Sequence, residues 1–456
     1  MRRLRAAMPL RSTGQALLPA VLLLSACGLA WAALYQVGQT AAARTRLTHA
    51  ADAAAYSAAL AQARALNLLA YVNRAQIAHQ VAMAHMITLA SWAQFSTTQA
   101  GRRAMGNPPA YLLGTLFGTQ ALRGYLAAQD TGGMAAGFAQ QYAEHDALVH
   151  DTLRRAVDRQ VAQLPAQRSA MLRAVLQANY PELAGRPDDL RMRWLDDTWP
   201  GFVQARPGSD AGMQALVRAA AARHDFLRPR DFTRRNAWIV QSRCPSRRHE
   251  LRRRGATQLD SRGRWSASDT LSYHALRSNR WIGCYFREYA TGWGLAGRHA
   301  AGAPIERAPD DFSNEDFWRW VEQNTSWDIL TGNGNPLASA YASMSLVPAA
   351  SRGLPAFHEA ARADSTVRLA IAVRQSAASL PMAGAASALA FGARLAGPAL
   401  GAADGLTVSA AAETFFSRPQ PRDDGRDELA TLFRPYWQAR RVAVTEAEQR
   451  TARNTR

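Results

Sequence analysis

No lysine occurs in the 456 residues, so all 54 cationic side chains are arginine, and against 35 Asp and Glu they give a formal charge of +19. Arginine in place of every lysine, in an Ala-rich chain, fits a GC-rich coding bias. The same excess also fits attraction to nucleic acid, anionic lipid or acidic envelope polymers. Cysteine is scarce, with only Cys27, Cys244 and Cys284, which excludes a disulfide-dense small scaffold. Proline and glycine are both missing from Gln39 to Phe95. His-Glu-x-x-His, a nucleophile elbow, a paired-carboxylate pattern and a metal-ligand cluster are all lacking. No catalytic residue, metal site or cofactor is therefore assigned, and the chain is read as non-enzymatic.

What is present begins with an apolar run. From Ala16 to Tyr35 no charge occurs, over about the 20 residues that a helix needs to cross a bilayer core. Ala16, Leu17, Leu18, Val21, Leu22, Leu23, Leu24, Leu29, Trp31, Leu34 and Tyr35 would face the lipid. Arg2, Arg3, Arg5 and Arg11 precede the run and only Arg44 and Arg46 follow closely. The positive-inside bias then keeps the amino terminus in the cytoplasm and sends the remainder across. Two other readings compete with an uncleaved single-pass anchor. Leu24-Ser-Ala-Cys27 fits lipidation at Cys27, and Ala30-Trp-Ala32 fits signal-peptidase cleavage.

Beyond Gln39 the breaker-free stretch reads as one long amphipathic helix continuing the span. Ala51, Ala54, Ala58, Ala61 and Ala65 recur at intervals of three and four, forming a narrow stripe that another helix could approach closely. Leu66, Leu69, Ile77, Val81 and Ile87 make the stripe bulky further on, as where a helix enters a core. From Pro108 to about Arg235 the pattern stays helical, interrupted by Gly132-Gly133, Pro165, Pro181, Pro200 and Pro207, and is clearest from Gly137 to Leu164. His145, Asp146 and His150 lie there, but a spacing of five does not share one helical face well.

Around Ala237 the composition turns to short β-like runs at 237–241, 264–267, 270–274 and 281–286, with Gly255, Gly263 and Ser278-Asn279 as turns. Cys244 and Cys284 would tie the first and last of these strands. In an oxidising compartment that bridge, closing about 40 residues, adds roughly 3–4 kcal/mol. Arg247, Arg248, Arg252, Arg253 and Arg254 are placed in loops here, near Trp265 and Trp281. They are candidate ligands for anionic lipid or cell-wall polymer; no nucleic-acid motif accompanies them. A Trp-rich helix is expected over 314–330, a turn over 331–336 and a strand over 367–374, where Val367, Leu369, Ile371 and Val373 alternate. Residues 381–405 read as an Ala/Gly-rich insertion, and structure resumes over 410–416 and 429–444.

Gly14-Gln-Ala-Leu-Leu-Pro-Ala-Val-Leu-Leu23 and Arg46-Leu-Thr-His-Ala-Ala-Asp-Ala-Ala-Ala55 resemble the amino-terminal segment of TadE/TadG-like Flp pilus-assembly proteins. Shorter echoes occur at Leu66–Ala75, Trp265–Ser272, Gly292-Trp-Gly294, Pro421–Gly425 and Pro435–Gln438. The resemblance implies a bacterial inner-membrane protein of Tad-type pilus biogenesis, with a large periplasmic domain and with pilus-assembly proteins or pilin-like subunits as partners. Pro19 stands where processed pilins carry glutamate, so the chain fits an assembly component better than a cleaved fibre subunit. The string Asp311-Phe-Ser-Asn-Glu315 departs from the Asp-x-Ser-x-Ser metal site of some relatives, so no metal is carried over.

The expected fold is α+β: a basic cytoplasmic terminus (1–15), a transmembrane helix (16–37), a mainly helical extracytoplasmic region (38–235), an antiparallel β-rich region (236–300) and a mixed C-terminal part (301–456). A chain that shared only the membrane segment with the pilus family would instead be an envelope-binding module.

Overall fold

The computed structural model describes residues 17–280, 283–297, 347–361, 366–380 and 404–453. Its first element, α1, is a single 88-residue helix, Leu17–Ala104, about 130 Å long at 1.5 Å per residue. The helices that follow are α2 (Ala110–Phe117), α3 (Thr119–Leu126), α4 (Gly132–Ala147), α5 (Arg154–Asn179), α6 (Ala211–Ala221) and α7 (Glu446–Arg453). The strands are β1 (Leu190–Asp197), β2 (Val203–Arg206), β3 (Phe232–Arg235), β4 (Glu250–Leu259), β5 (Trp265–Asn279), β6 (Gly283–Ala296), β7 (Phe357–Ala360), β8 (Thr366–Gln375), β9 (Leu406–Phe416) and β10 (Trp437–Val442). The fold is α+β with antiparallel sheets, as expected. It divides into two compact units that interleave along the chain: Met1–Leu68, Gln160–Val203 and Ala360–Arg456 make the first, and Leu69–Arg159 with Gln204–Glu359 make the second.

The first unit is a four-stranded sheet, ordered β1-β8-β9-β10, with α1 on its inner face. The alternation in β8 sets this face: Leu369, Ile371 and Val373 are fully buried. Their cross-strand partners are Ala412, Ala410 and Val408 on β9. Opposite this row α1 supplies Ala43, Leu47, Ala50, Ala51, Ala54, Ala55, Ala58 and Ala59, while Leu172 and Leu176 of α5 complete the core. Alanine here lets helix and sheet backbones approach until Thr414 Oγ1 donates to the Ala59 carbonyl at 2.8 Å. On the outer face, α7 lays Glu448 against Arg368, at 2.7 Å to Nε. Arg168 of α5 is 1% exposed and donates both terminal nitrogens to Asp197, at 2.9 and 2.8 Å, and Nη1 to Gln62 at 2.9 Å, between the rings of Trp194 and Trp199.

In the second unit the sheet is ordered β3-β4-β5-β6. The C-terminal end of its edge strand β6 is hydrogen-bonded to α1. Trp293 N donates to Thr98 Oγ1 at 2.8 Å, Leu295 N to Gln94 Oε1 at 2.6 Å, and Ser91 Oγ to the Gly294 carbonyl at 3.0 Å. These bonds take up the edge N–H groups of Trp293 and Leu295, which another strand would otherwise meet. Leu113, Phe117 and Tyr125 of α2 and α3 pack on Leu251, Tyr273 and Ala275. Between α4 and α5 the helix widens to a π turn over Leu148–Leu153. That extra residue per turn brings Asp146 and Asp151, five apart, onto one guanidinium, Arg352, at 2.8 and 3.0 Å.

Several expectations are corrected. The region 38–235 also contains β1, β2 and β3, because its proline-marked gaps hold short strands. Pro165 lies inside α5 rather than ending a helix. The expected strand at 237–241 is a loop, the runs at 264–267 and 270–274 are one strand, β5, and Gly255 lies within β4 instead of a turn. Arg252, Arg253 and Arg254 sit on β4, not in loops; the run of charge hides the strand, because Arg252 is matched by Glu250 beside it and Arg253 by Asp269 on β5. The 314–330 helix, the 331–336 turn, the basic terminus 1–15, Ala16, Trp281 and nearly all of the 381–405 insertion fall outside the described residues.

Candidate functional site

The feature most open to a partner is the start of α1. Leu17, Leu24, Trp31 and Leu34 are 73%, 71%, 65% and 68% exposed. The remaining anchor candidates Leu18, Val21, Leu22, Leu23, Leu29 and Tyr35 are exposed too. Burying such surface is favourable by about 25 cal/mol per Å², and no other described part of the chain covers it: none of the most apolar 18-residue window is buried. By length and composition this helix can cross a membrane. The hydroxyls flanking and within the stretch turn inward, with Ser25 Oγ donating to the Val21 carbonyl at 2.8 Å and Thr40 Oγ1 to Gln36 at 2.9 Å. Such back-bonding satisfies a polar group where no water is at hand. Cys27 is a free, exposed thiol.

The exposed stretch gives way to core at Ala43. Just beyond, Arg46 donates to the Asn179 carbonyl at 2.6 Å, pairs with Glu182 at 2.6 Å and lies 4.3 Å over the Tyr180 ring. Hydrogen bonding by Arg46 holds the Glu182 carboxyl below its ordinary value. The Ala stripe then follows, and its place differs from a surface offered to another chain: Ala51, Ala54 and Ala58 are fully buried in the first unit's own core, with Ala65 also buried and Ala61 partly so. Small side chains on this face serve intramolecular helix–sheet contact.

The arginines of the second unit separate into two groups. Arg252 Nε pairs with Glu250 at 2.9 Å and its guanidinium lies over Phe286; Arg254 donates to the Phe232 carbonyl at 3.2 Å. Arg253 joins Arg230 on Asp269, a fully buried carboxylate that also accepts from Ser91 Oγ at 2.9 Å. Burial lowers the Arg253 pKa, and the facing Asp269 charge works against that shift. These side chains are fastened inside the fold. Arg247 and Arg248 instead donate to backbone carbonyls, of Cys284 at 3.4 Å and of Pro245 at 2.6 Å. The disulfide Cys244–Cys284 is formed, and it ties the loop before β4 to β6.

No histidine of the α4 segment reaches a ligand set. His145 Nδ1 meets His79 Nδ1 of α1 at 2.7 Å, and His150 Nε2 meets the Gly353 carbonyl at 3.0 Å. Burial first, and the His145 charge second, lower the His79 pKa. Among the described residues no group of three or more His, Cys, Asp or Glu is placed to hold a metal. Sequence reasoning missed the His79–His145 contact, the Asp269 cluster and the exposed pair Trp238–Ile239. None of the three carried a local signal: Trp238 and Ile239 read as part of the strand expected over 237–241. Compared with known proteins, the chain matches no protein-family model, no curated protein and no solved structure.

Proposed function

We propose that the chain is a non-enzymatic, membrane-anchored component of Tad/Flp-type pilus assembly, with its amino terminus in the cytoplasm of a bacterium and everything beyond the exposed start of α1 outside the inner membrane. The observation that carries this reading is the continuity of α1, whose exposed apolar turns run without a break into a helix sheathed by the chain's own sheet. Together with the resemblance of the first 60 residues to TadE/TadG-like segments, this favours a fixed arm that carries the folded parts of the chain outward from the membrane. The Cys244–Cys284 disulfide accords with an oxidising compartment. Because the Ala stripe is occupied within the chain, partners would meet the outer surfaces of the two units rather than that face.

The test is a clean deletion in the bacterium that encodes the chain, with surface fibres and total cellular pilin quantified in the same cells. Loss of fibres with pilin still present is the expected result. Normal fibres would reject the assembly role and reduce the resemblance to a shared targeting segment.

A further inference from the structure

The loop joining β3 to β4 holds a second apolar feature turned to solvent, and it is built to stay there. Trp238 and Ile239 are 49% and 55% exposed. Their backbone is fixed from beneath by the buried Asn236, whose Nδ2 donates to the Trp238 carbonyl at 2.7 Å and whose Oδ1 accepts from His249 N at 2.8 Å. The next residue turns in: Val240 packs with Cys244, Leu276 and Phe286. Cys244 N closes the turn on the Gln241 carbonyl at 3.0 Å, and the disulfide pins it to β6. A loop held at both ends and in its middle presents the Trp-Ile tip in a preset position.

The charge around that tip is of one sign. From Phe232 to His249 the chain carries Arg234, Arg235, Arg243, Arg247 and Arg248 and no Asp or Glu. Arg235 is matched by Glu250 at 2.8 Å. The other four reach no carboxylate among the described residues: Arg234 bonds Gln120 and lies over Phe232, Arg247 and Arg248 bond backbone carbonyls, and Arg243 is exposed.

We infer that this tip is a membrane-surface contact, in which Trp238 and Ile239 enter the headgroup–acyl boundary of an anionic phospholipid bilayer while Arg234, Arg243, Arg247 and Arg248 engage lipid phosphates. Tryptophan suits that boundary because its ring is apolar and its N–H can still bond. Guanidinium forks match phosphate oxygens, and an anionic leaflet attracts clustered arginine within a Debye length. A half-exposed apolar pair fits a soft phase, which needs no preformed pocket. The inference stands apart from the pilus reading: Thr88 and Thr98 of α1, which hold the sheet behind the tip, lie about 75–90 Å along the helix from the end of its exposed apolar start, so the bilayer the tip meets is not the one that start would cross.

The full chain, with its exposed α1 segment covered by a non-ionic amphipol, is mixed with vesicles of phosphatidylcholine alone or with phosphatidylglycerol, and flotation is measured at low and high salt. The wild type should float with the anionic vesicles, lose most of that at high salt and stay behind with the neutral ones. Trp238→Ser with Ile239→Ser should weaken flotation about tenfold, and Arg243→Gln with Arg248→Gln should weaken it at low salt only. Both pairs are at the surface, and an intact Cys244–Cys284 bridge in each variant reports that the loop is folded. A serine double variant that floats like the wild type, or equal flotation with neutral vesicles, overturns the inference. So does binding to purified cell-wall polymer that the serine variant loses while vesicles never bind, which would assign the tip to polymer.

Discussion

The carbonyl oxygen of Ser91 stands 1.9 Å from where a methyl group on Gly294 would lie. Helix α1 and strand β6 touch there backbone to backbone, whereas a methyl group on Gly292 would lie 2.9 Å from Gln99 Cβ and 3.0 Å from the Phe95 ring. Gly294→Ala must push the helix off the strand and stretch the Thr98 and Gln94 bonds to β6. We expect a loss of about 3 kcal/mol, at the upper end for overpacking, read as a lowered urea midpoint. A variant as stable as the wild type would mean that the helix yields there freely.

Ala54→Leu should destabilise the first unit by about 2 kcal/mol, since three added carbons enter a core already closed by β8 and β9. Protease susceptibility of the purified protein checks this. Defective assembly with unchanged stability would mean that this face meets another chain after all.

Replacing Asp197 by Asn leaves the Arg168 guanidinium buried without its carboxylate, and breaking such a pair costs about 3–5 kcal/mol. Adding Arg168→Met should recover part of that loss, because it removes the stranded charge. Chemical denaturation of the three variants gives the comparison, and no recovery would argue against a charge origin.

Acid should weaken the second unit. His79 and His85 are lowered by burial and then by the facing charges of His145 and His224. His358 is lowered by burial, with Asp158 opposing and Arg154 adding, and His249 is lowered to about 4 by burial and by Arg277. Each folded-state pKa lies below the unfolded value of about 6.5. The unfolded chain therefore binds more protons as pH falls below about 6.5, and stability declines until pH passes below about 4 for His249. The melting temperature should drop from pH 7.5 to pH 5, and His79→Gln should flatten the curve. A flat profile in the wild type would contradict this.

Leu22→Arg with Leu23→Arg should release the chain from membranes, at about 3 kcal/mol per charge near the middle of a span. Carbonate extraction of membrane fractions measures it. Full retention would mean that the exposed start of α1 is not what holds the protein to lipid.

The parts legible in the sequence are those with a strong local period. The breaker-free stretch from Gln39 to Phe95 lies within α1, the alternation from Val367 to Val373 is β8, and two cysteines in the β-rich stretch are bonded. The rest depends on partners far along the chain. Arg252 to Arg254 look like loop residues until Glu250 and Asp269 are beside them, and Gly255 looks like a turn until β5 runs past it. The π turn has no sequence mark, because its effect appears only when Asp146 and Asp151 close on Arg352. The candidate anchor was legible because lipid-crossing length is itself a local property; the Trp238–Ile239 tip was not, because exposure is a property of the finished fold.

The order in which the ribosome delivers the chain sets a problem of timing. Ala51 to Ala59 of α1 leave the exit tunnel early, but the strands that cover them, β8 and β9, follow roughly 300 residues later, which at about 5–20 residues per second is on the order of 15–60 s. Throughout that interval the alanine face lacks its sheet, with α5 alone arriving sooner to cover part of it. A nascent chain would therefore need a holding chaperone, or the membrane surface itself, to keep that face from sticking elsewhere, and truncation before Thr366 would leave the helix without either of the strands, β8 and β9, that close on it.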